Sequence, residues 1–215
     1  MQARLVTAPL NTPVQVSDVS AQVRFDVSSE NTLITAYINA ITEKAQTVTR
    51  RALITQTWEL ALDRFPLYNF NELDIMTNWK RGAYDTPNQI KLPMSPLQMV
   101  NSIKYIDVNG VLQTIDSSTY SVDTYSDVPR VAPAVGYDWP GTILNMNAVR
   151  VNFTCGYGVD STFVPDAIRT WILINVANLY ENRETETIAN GRLTMVDLST
   201  LADSLLDSYR IMSFS

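Results

Sequence analysis

The 215-residue chain has no histidine and a single cysteine, Cys155. The first absence excludes Ser-His-Asp and Cys-His catalysis and removes the commonest zinc ligand. The second excludes an intrachain disulfide and suits synthesis in a reducing cytoplasm. Lysine is confined to Lys44, Lys80, Lys91 and Lys104. Basic residues adjoin one another only at Arg50-Arg51 and Lys80-Arg81, far short of the clusters that displace phosphate counterions. With a net charge of −6, the chain is not expected to bind nucleic acid specifically, although it can stand in the wall of a channel that DNA traverses. No apolar run is long enough to cross a bilayer. Residues 1–12 lack the basic start and apolar core of a signal peptide.

Charge of either sign is sparse. Charged residues make up 18% of the chain, against about 25% in an ordinary domain. A surface so thinly charged is consistent with a subunit that faces copies of itself or other proteins. The apolar share, 46%, is that of a globular chain with a real core.

The pattern along the chain predicts helices, then strands, then helices. Residues 1–14, with Pro9 and Pro13, read as an extended arm: either a frayed terminus or a segment that packs on a neighbouring subunit. Ser17 is positioned to cap a short helix over about 17–25. A longer helix is predicted over about 29–51, capped by Ser28 or Ser29. Its apolar face is Leu33, Ile34, Tyr37, Ile38, Ile41, Ala45 and Val48; Thr35, Asn39, Thr42, Glu43 and Gln46 lie opposite.

From Leu53 the chain turns rich in Thr, Val, Ile, Tyr and Pro. Residues 53–65 read as a strand with Ile54, Gln56, Trp58, Leu60 and Leu62 on one side. Asn109-Gly110, between apolar runs 103–108 and 111–115, has the chemistry of a type I′ hairpin turn. Further strands are expected near 120–123, 129–132 and 148–154. Helix signals return at Pro165, a favoured first helical position, and continue through Ile168, Trp171, Ile172, Val176 and Tyr180. After Gly191 a last amphipathic segment, 195–211, carries Leu198, Leu201, Leu205 and Tyr209 on one stripe. The fold class expected is α+β: a bundle of about four helices, with a mainly antiparallel β insertion between its N-terminal and C-terminal helices. The corresponding segments are 1–52, 53–158 and 159–215.

Few residues suggest chemistry. Thr154-Cys155-Gly156-Tyr157-Gly158 has a Gly-x-Gly, but no third glycine and no P-loop lysine follows. A strand ending in a tight turn with positive φ explains it better. Cys155 reads as a small buried residue. Glu181, Glu184 and Glu186 cluster, as do Asp123 and Asp127. Such carboxylates can do acid–base work, but a helix end and a loop are where solvated charge is ordinary. No catalytic, cofactor-binding or metal-binding residue is assigned. Trp79 and Trp139 lie in Pro/Gly-rich loops and read equally as interface anchors or as covers for a small core. The stripe of the last helix either closes the helical bundle or docks into a groove on another protein.

One ordered set of short motifs points further. It begins with Gln56-Thr57-Trp58, Leu62-Asp63-Arg64-Phe65-Pro66, Ile90-Lys91-Leu92-Pro93 and Pro96-Leu97. It continues with Val100-Asn101-Ser102-Ile103-Lys104-Tyr105-Ile106-Asp107, Asn109-Gly110, Tyr120-Ser121-Val122-Asp123 and Pro129-Arg130-Val131. It ends with Trp139-Pro140, Asn147-Ala148-Val149, Gly156-Tyr157-Gly158, Val164-Pro165 and Tyr180-Glu181-Asn182-Arg183. Over roughly residues 29–185 this set resembles the head–tail connector (adaptor, head-completion) proteins of tailed bacteriophages.

The resemblance implies a non-enzymatic virion subunit, made in the bacterial host cytoplasm and located at the head–tail junction. It implies a dodecameric ring of copies on the portal protein, extending the DNA channel toward a tail-side stopper or tail-terminator protein. It also implies a C-terminal segment in contact with the portal, which would give Leu198, Leu201, Leu205 and Tyr209 that role. The competing expectations are another tail-completion or baseplate subunit, and a hydrolase using Glu181, Glu184 or Asp123.

Overall fold

The computed structural model describes residues 2–23, 27–66, 88–181 and 198–211. It is a mixed α+β fold made of two compact units. Residues 1–8 and 56–155 form a strand unit, and residues 9–55 and 156–215 form a helical unit. The strands are β1 (Gln2–Thr7), β2 (Gln56–Leu62), β3 (Ile90–Lys91), β4 (Leu97–Ile106), β5 (Leu112–Thr114), β6 (Tyr120–Asp123), β7 (Arg130–Pro133) and β8 (Val149–Cys155). The helices are α1 (Val16–Gln22), α2 (Val27–Thr49), α3 (Asp166–Glu181) and α4 (Leu198–Asp207).

In the strand unit a five-stranded antiparallel sheet runs β1-β2-β8-β4-β5, and a three-stranded one runs β3-β7-β6. Period-two alternation builds the larger sheet. Along β8, Val149, Val151, Phe153 and Cys155 are buried, while Arg150 is exposed and Asn152 and Thr154 are half-exposed. Opposite them on the same face stand Leu60 of β2 and Ile103 of β4, both fully buried. Each such side chain contributes about 1.5–3 kcal/mol. Ile90, Leu92 and Val131 are buried at the smaller sheet.

Two expectations change here. The N-terminal arm is an edge strand: Gln2 to Leu5 pair in register with Ala61 to Trp58, and pairing ends beyond a bulge at Val6. Alternation was too short to show this before Pro9, and the partner strand lies some fifty residues away. The β4–β5 turn is not type I′. Only Gly110 has positive φ, +81°, and Asn109 does not. The Asp107 carboxylate accepts the N–H groups of Asn109 and Val111, both at 2.9 Å. Gly110 N–H donates to Asp107 O. The result is a turn closed by a left-handed glycine, with an extra residue in the loop.

In the helical unit, α1 begins at Val16, with Gln15 at the cap position in place of Ser17. The N–H of Gln15 donates to Asp18 Oδ2 at 2.9 Å. Ser28 and Ser29 fall inside α2, and the residues preceding it, 24–26, are outside the described residues. Helical periodicity holds on α2 and α3. Ile34, Ile38, Ile41 and Ala45 share one core with Ile168, Trp171, Ile172 and Val176, joined by Val19 of α1 and by Ala202 and Leu206 of α4. Arg50, with φ +57°, ends α2. No helix among the described residues is long and apolar enough to cross a membrane.

Candidate functional site

The glycine motif is architectural. The N–H of Thr55 donates to Gly158 O at 2.8 Å and that of Tyr157 to Leu53 O at 3.3 Å, so this stretch is tied to residues 53–55. Gly156 takes φ +131° directly against Ile54. Gly158 lies under the Phe163 ring, where a side chain has no room. There is no open cradle for a phosphate. Cys155, at the end of β8, is fully buried, and burial pushes its thiol up to about 12. Its Sγ points to Gln56 O at 3.9 Å. A thiol so held is not a thiolate nucleophile at neutral pH.

Asp123 is bound on all sides. Ser126 Oγ donates to Oδ2 at 2.7 Å, and Arg130 donates to the same oxygen from Nη2 at 2.6 Å and from Nε at 3.0 Å. Oδ1 accepts the N–H of Tyr125 and of Ser126. The Ser126 hydroxyl and then the Arg130 guanidinium hold this carboxyl well below the usual range. It pins the β6–β7 turn as an ionised acceptor and has no proton to donate. Glu181 is exposed at the end of α3, and Glu184 and Glu186 lie outside the described residues. Among the described residues no group of three or more acidic, histidine or cysteine side chains converges as a metal site.

The expected interface residues separate. Trp139 is half-buried. Its ring stacks on Phe65 with centroids 4.9 Å apart and planes at 6°, and its Nε1 donates to Asn88 O at 2.9 Å. Within the chain it covers Phe65, which also meets Tyr105 edge-on. Trp79 lies outside the described residues, as do the side chains of Leu198 and Leu201. Leu205 and Tyr209 are half-buried against the helical core, whereas Ala202 and Leu206 are its buried members. Beyond α4 the chain is tied back to the end of α2. Arg51 Nε donates to Tyr209 O at 2.8 Å, and Ile211 N–H donates to Thr49 O at 3.2 Å.

One surface escaped the sequence reading. The exposed face of the five-stranded sheet is a hydrogen-bonded polar layer. Asn101 Nδ2 donates to Asn152 Oδ1 at 2.7 Å and to Thr154 Oγ1 at 3.0 Å, and Thr154 faces Thr57 across 3.4 Å. Arg4 donates to Glu59 Oε1 from Nη2 at 2.7 Å and from Nε at 3.1 Å. Beside this pair lies a cleft lined by Arg4, Glu59, Ala61, Asn147 and Arg150. Polar residues at alternate positions of β2 and β8 were the available signal. The register that joins them was not.

No family model matches the sequence, and no curated protein matches it. Solved structures do. A chain in the virion of a native gene transfer agent particle is 20% identical, over 100% of this chain and 98% of that one, with a TM-score of 0.74. A chain in the neck of an empty gene transfer agent particle, computed with C6 symmetry, is 20% identical over the same shares, with a TM-score of 0.73. A third, in the neck of a native particle computed with C12 symmetry, is 18% identical over the same shares, with a TM-score of 0.71. The fold of this chain, from end to end, is therefore one found in the neck of a gene transfer agent particle.

Proposed function

We propose that this chain is a structural subunit of the neck of a tailed-phage-like particle, an adaptor whose copies form a ring between portal and tail. The observation that carries the reading is the whole-length match. A fold shared over 100% of this chain and 98% of a neck chain leaves no large part of either unaccounted for. The motif resemblance to head–tail connector proteins points the same way from the sequence side. The C6 and C12 symmetries of the neck reconstructions support a ring of identical copies, and twelve is the number we propose. Of the groups a hydrolase would use, Asp123 is occupied as a turn acceptor and the Cys155 thiol is buried.

In this reading the channel extends through the ring, and DNA passes without sequence-specific contact. The stripe Leu198, Leu201, Leu205 and Tyr209 grips the portal, Trp79 and Trp139 stand near subunit contacts, and a stopper or tail-terminator protein binds the tail side. Electron microscopy of purified particles tests this. Density for this chain in a ring at the head–tail junction is the expected result, and its absence there overturns the reading.

A further inference from the structure

Among the described residues the five-stranded sheet has two free edges. Among the described residues β1 pairs only with β2, and β5 only with β4. Alternate N–H and C=O groups on each edge strand therefore turn outward with no ladder partner. Both edges also hold apolar side chains in water: Leu5 and Val6 on β1 are 44% and 50% exposed, and Val111 and Leu112 at β5 are 53% and 60% exposed. Edges left in solution are ordinarily guarded by outward charge or proline. Here β5 has neither, and the one charge on β1, Arg4, is drawn across the sheet to Glu59. The bulge at Val6 confines regular pairing on β1 to residues 2–5.

The two edges complement each other. Residues 1–12 carry Arg4 and no acid, whereas residues 107–116 carry Asp107 and Asp116 and no base. Both carboxylates accept nearby backbone N–H groups, of Asn109 and Val111 and of Ser118, which keeps them ionised. The strand directions also agree. The pairings β1–β2, β2–β8, β8–β4 and β4–β5 are all antiparallel, so β1 and β5 run the same way at opposite sides of one sheet. Two different surfaces on opposite sides of a subunit are what a head-to-tail, ring-closing contact requires.

We infer that neighbouring copies join edge to edge, β5 of one copy adding in parallel to β1 of the next, so that the sheets run on around the ring. The inference rests on the ring reading above and names the surfaces that close it. The test is cross-linking of the full chain in assembled rings or particles, with a bis-maleimide spanning about two strand spacings, ~10 Å. Cys155, fully buried, stays out of reach. The variant carrying both Ala3→Cys and Gln113→Cys is expected to give a ladder of covalent oligomers. Mixed single variants should give dimers, and neither single variant alone should. Leu5→Glu, which sets an acid on the β1 edge against the acidic β5 edge with Asp107 and Asp116, should weaken assembly at least tenfold without lowering the melting temperature of the free chain. Rings that form without cross-links, or Ala3→Cys cross-linking to itself, overturn the edge pairing and leave the ring standing. No rings, and no chain at the neck, overturn both.

Discussion

Gly156 and Ile54 approach so closely that a Cβ on Gly156 would stand 2.7 Å from the Ile54 carbonyl carbon. The same glycine has φ +131°, a conformation side chains rarely adopt. Gly156→Ala should therefore destabilise the chain by about 2–4 kcal/mol, by clash and strain together. Gly110→Ala is the control. Its φ is +81°, but no atom lies within 4 Å of the added Cβ, so only about 1 kcal/mol is expected. Urea denaturation of both variants measures the difference. Equal losses would mean that the approach to Ile54 contributes nothing.

Asp123 gives the β6–β7 turn a pH-dependent stability. Its carboxyl is held below the ordinary value by Ser126 and Arg130. The stabilisation is then complete above the unfolded value near ~3.9 and is lost as pH falls toward the lower folded value. Asp123→Asn should cost about 1–2 kcal/mol at pH 7. The gap between wild type and variant should shrink below about pH 4, as the carboxyl takes up a proton in the unfolded chain while the folded one stays ionised. Denaturation curves at pH 7, 4 and 2.5 test both parts, and a gap constant across them would rule out the charged contact as its source.

Cys155 should behave as a core residue. With its thiol buried and pushed up to about 12, it should resist a maleimide for as long as the chain stays folded, and react fully in denaturant. Labelling followed by mass spectrometry reads this directly. Rapid labelling of the native protein at neutral pH would show that the end of β8 opens far more often than its packing implies.

Much of this architecture was legible because it is local. Helical spacing from Leu33 to Val48 and from Ile168 to Tyr180 marks α2 and α3, and the strand expected near 148–154 is β8, Val149–Cys155. What was not legible depends on partners distant in sequence. Residues 2–5 look like an arm until β2 supplies the pairing at residues 58–61. The Asn109-Gly110 dipeptide suggests one turn until the Asp107 side chain selects another. Trp139 reads equally as anchor or cover until Phe65 and Asn88 come against it. The Asn101–Asn152–Thr154 layer joins strands about fifty residues apart, and no spacing rule connects them.

The last helix separates two roles by side chain. Leu206 is fully buried in the helical core, whereas Leu205, its neighbour in sequence, is only half covered. Leu206→Ala should cost about 2–4 kcal/mol of stability through lost burial and the cavity left behind. Leu205→Ala should cost about 1 kcal/mol or less in the free chain, because less of its surface leaves water on folding. If the stripe through Leu205 and Tyr209 grips a partner, Leu205→Ala should instead weaken incorporation into particles, while its melting temperature stays close to wild type. Melting curves of the free variants and quantitative gels of purified particles separate the two effects. A Leu205→Ala chain that enters particles at the wild-type level would confine α4 to closing its own core. A Leu206→Ala chain that melts like wild type would mean α4 adds little to that core.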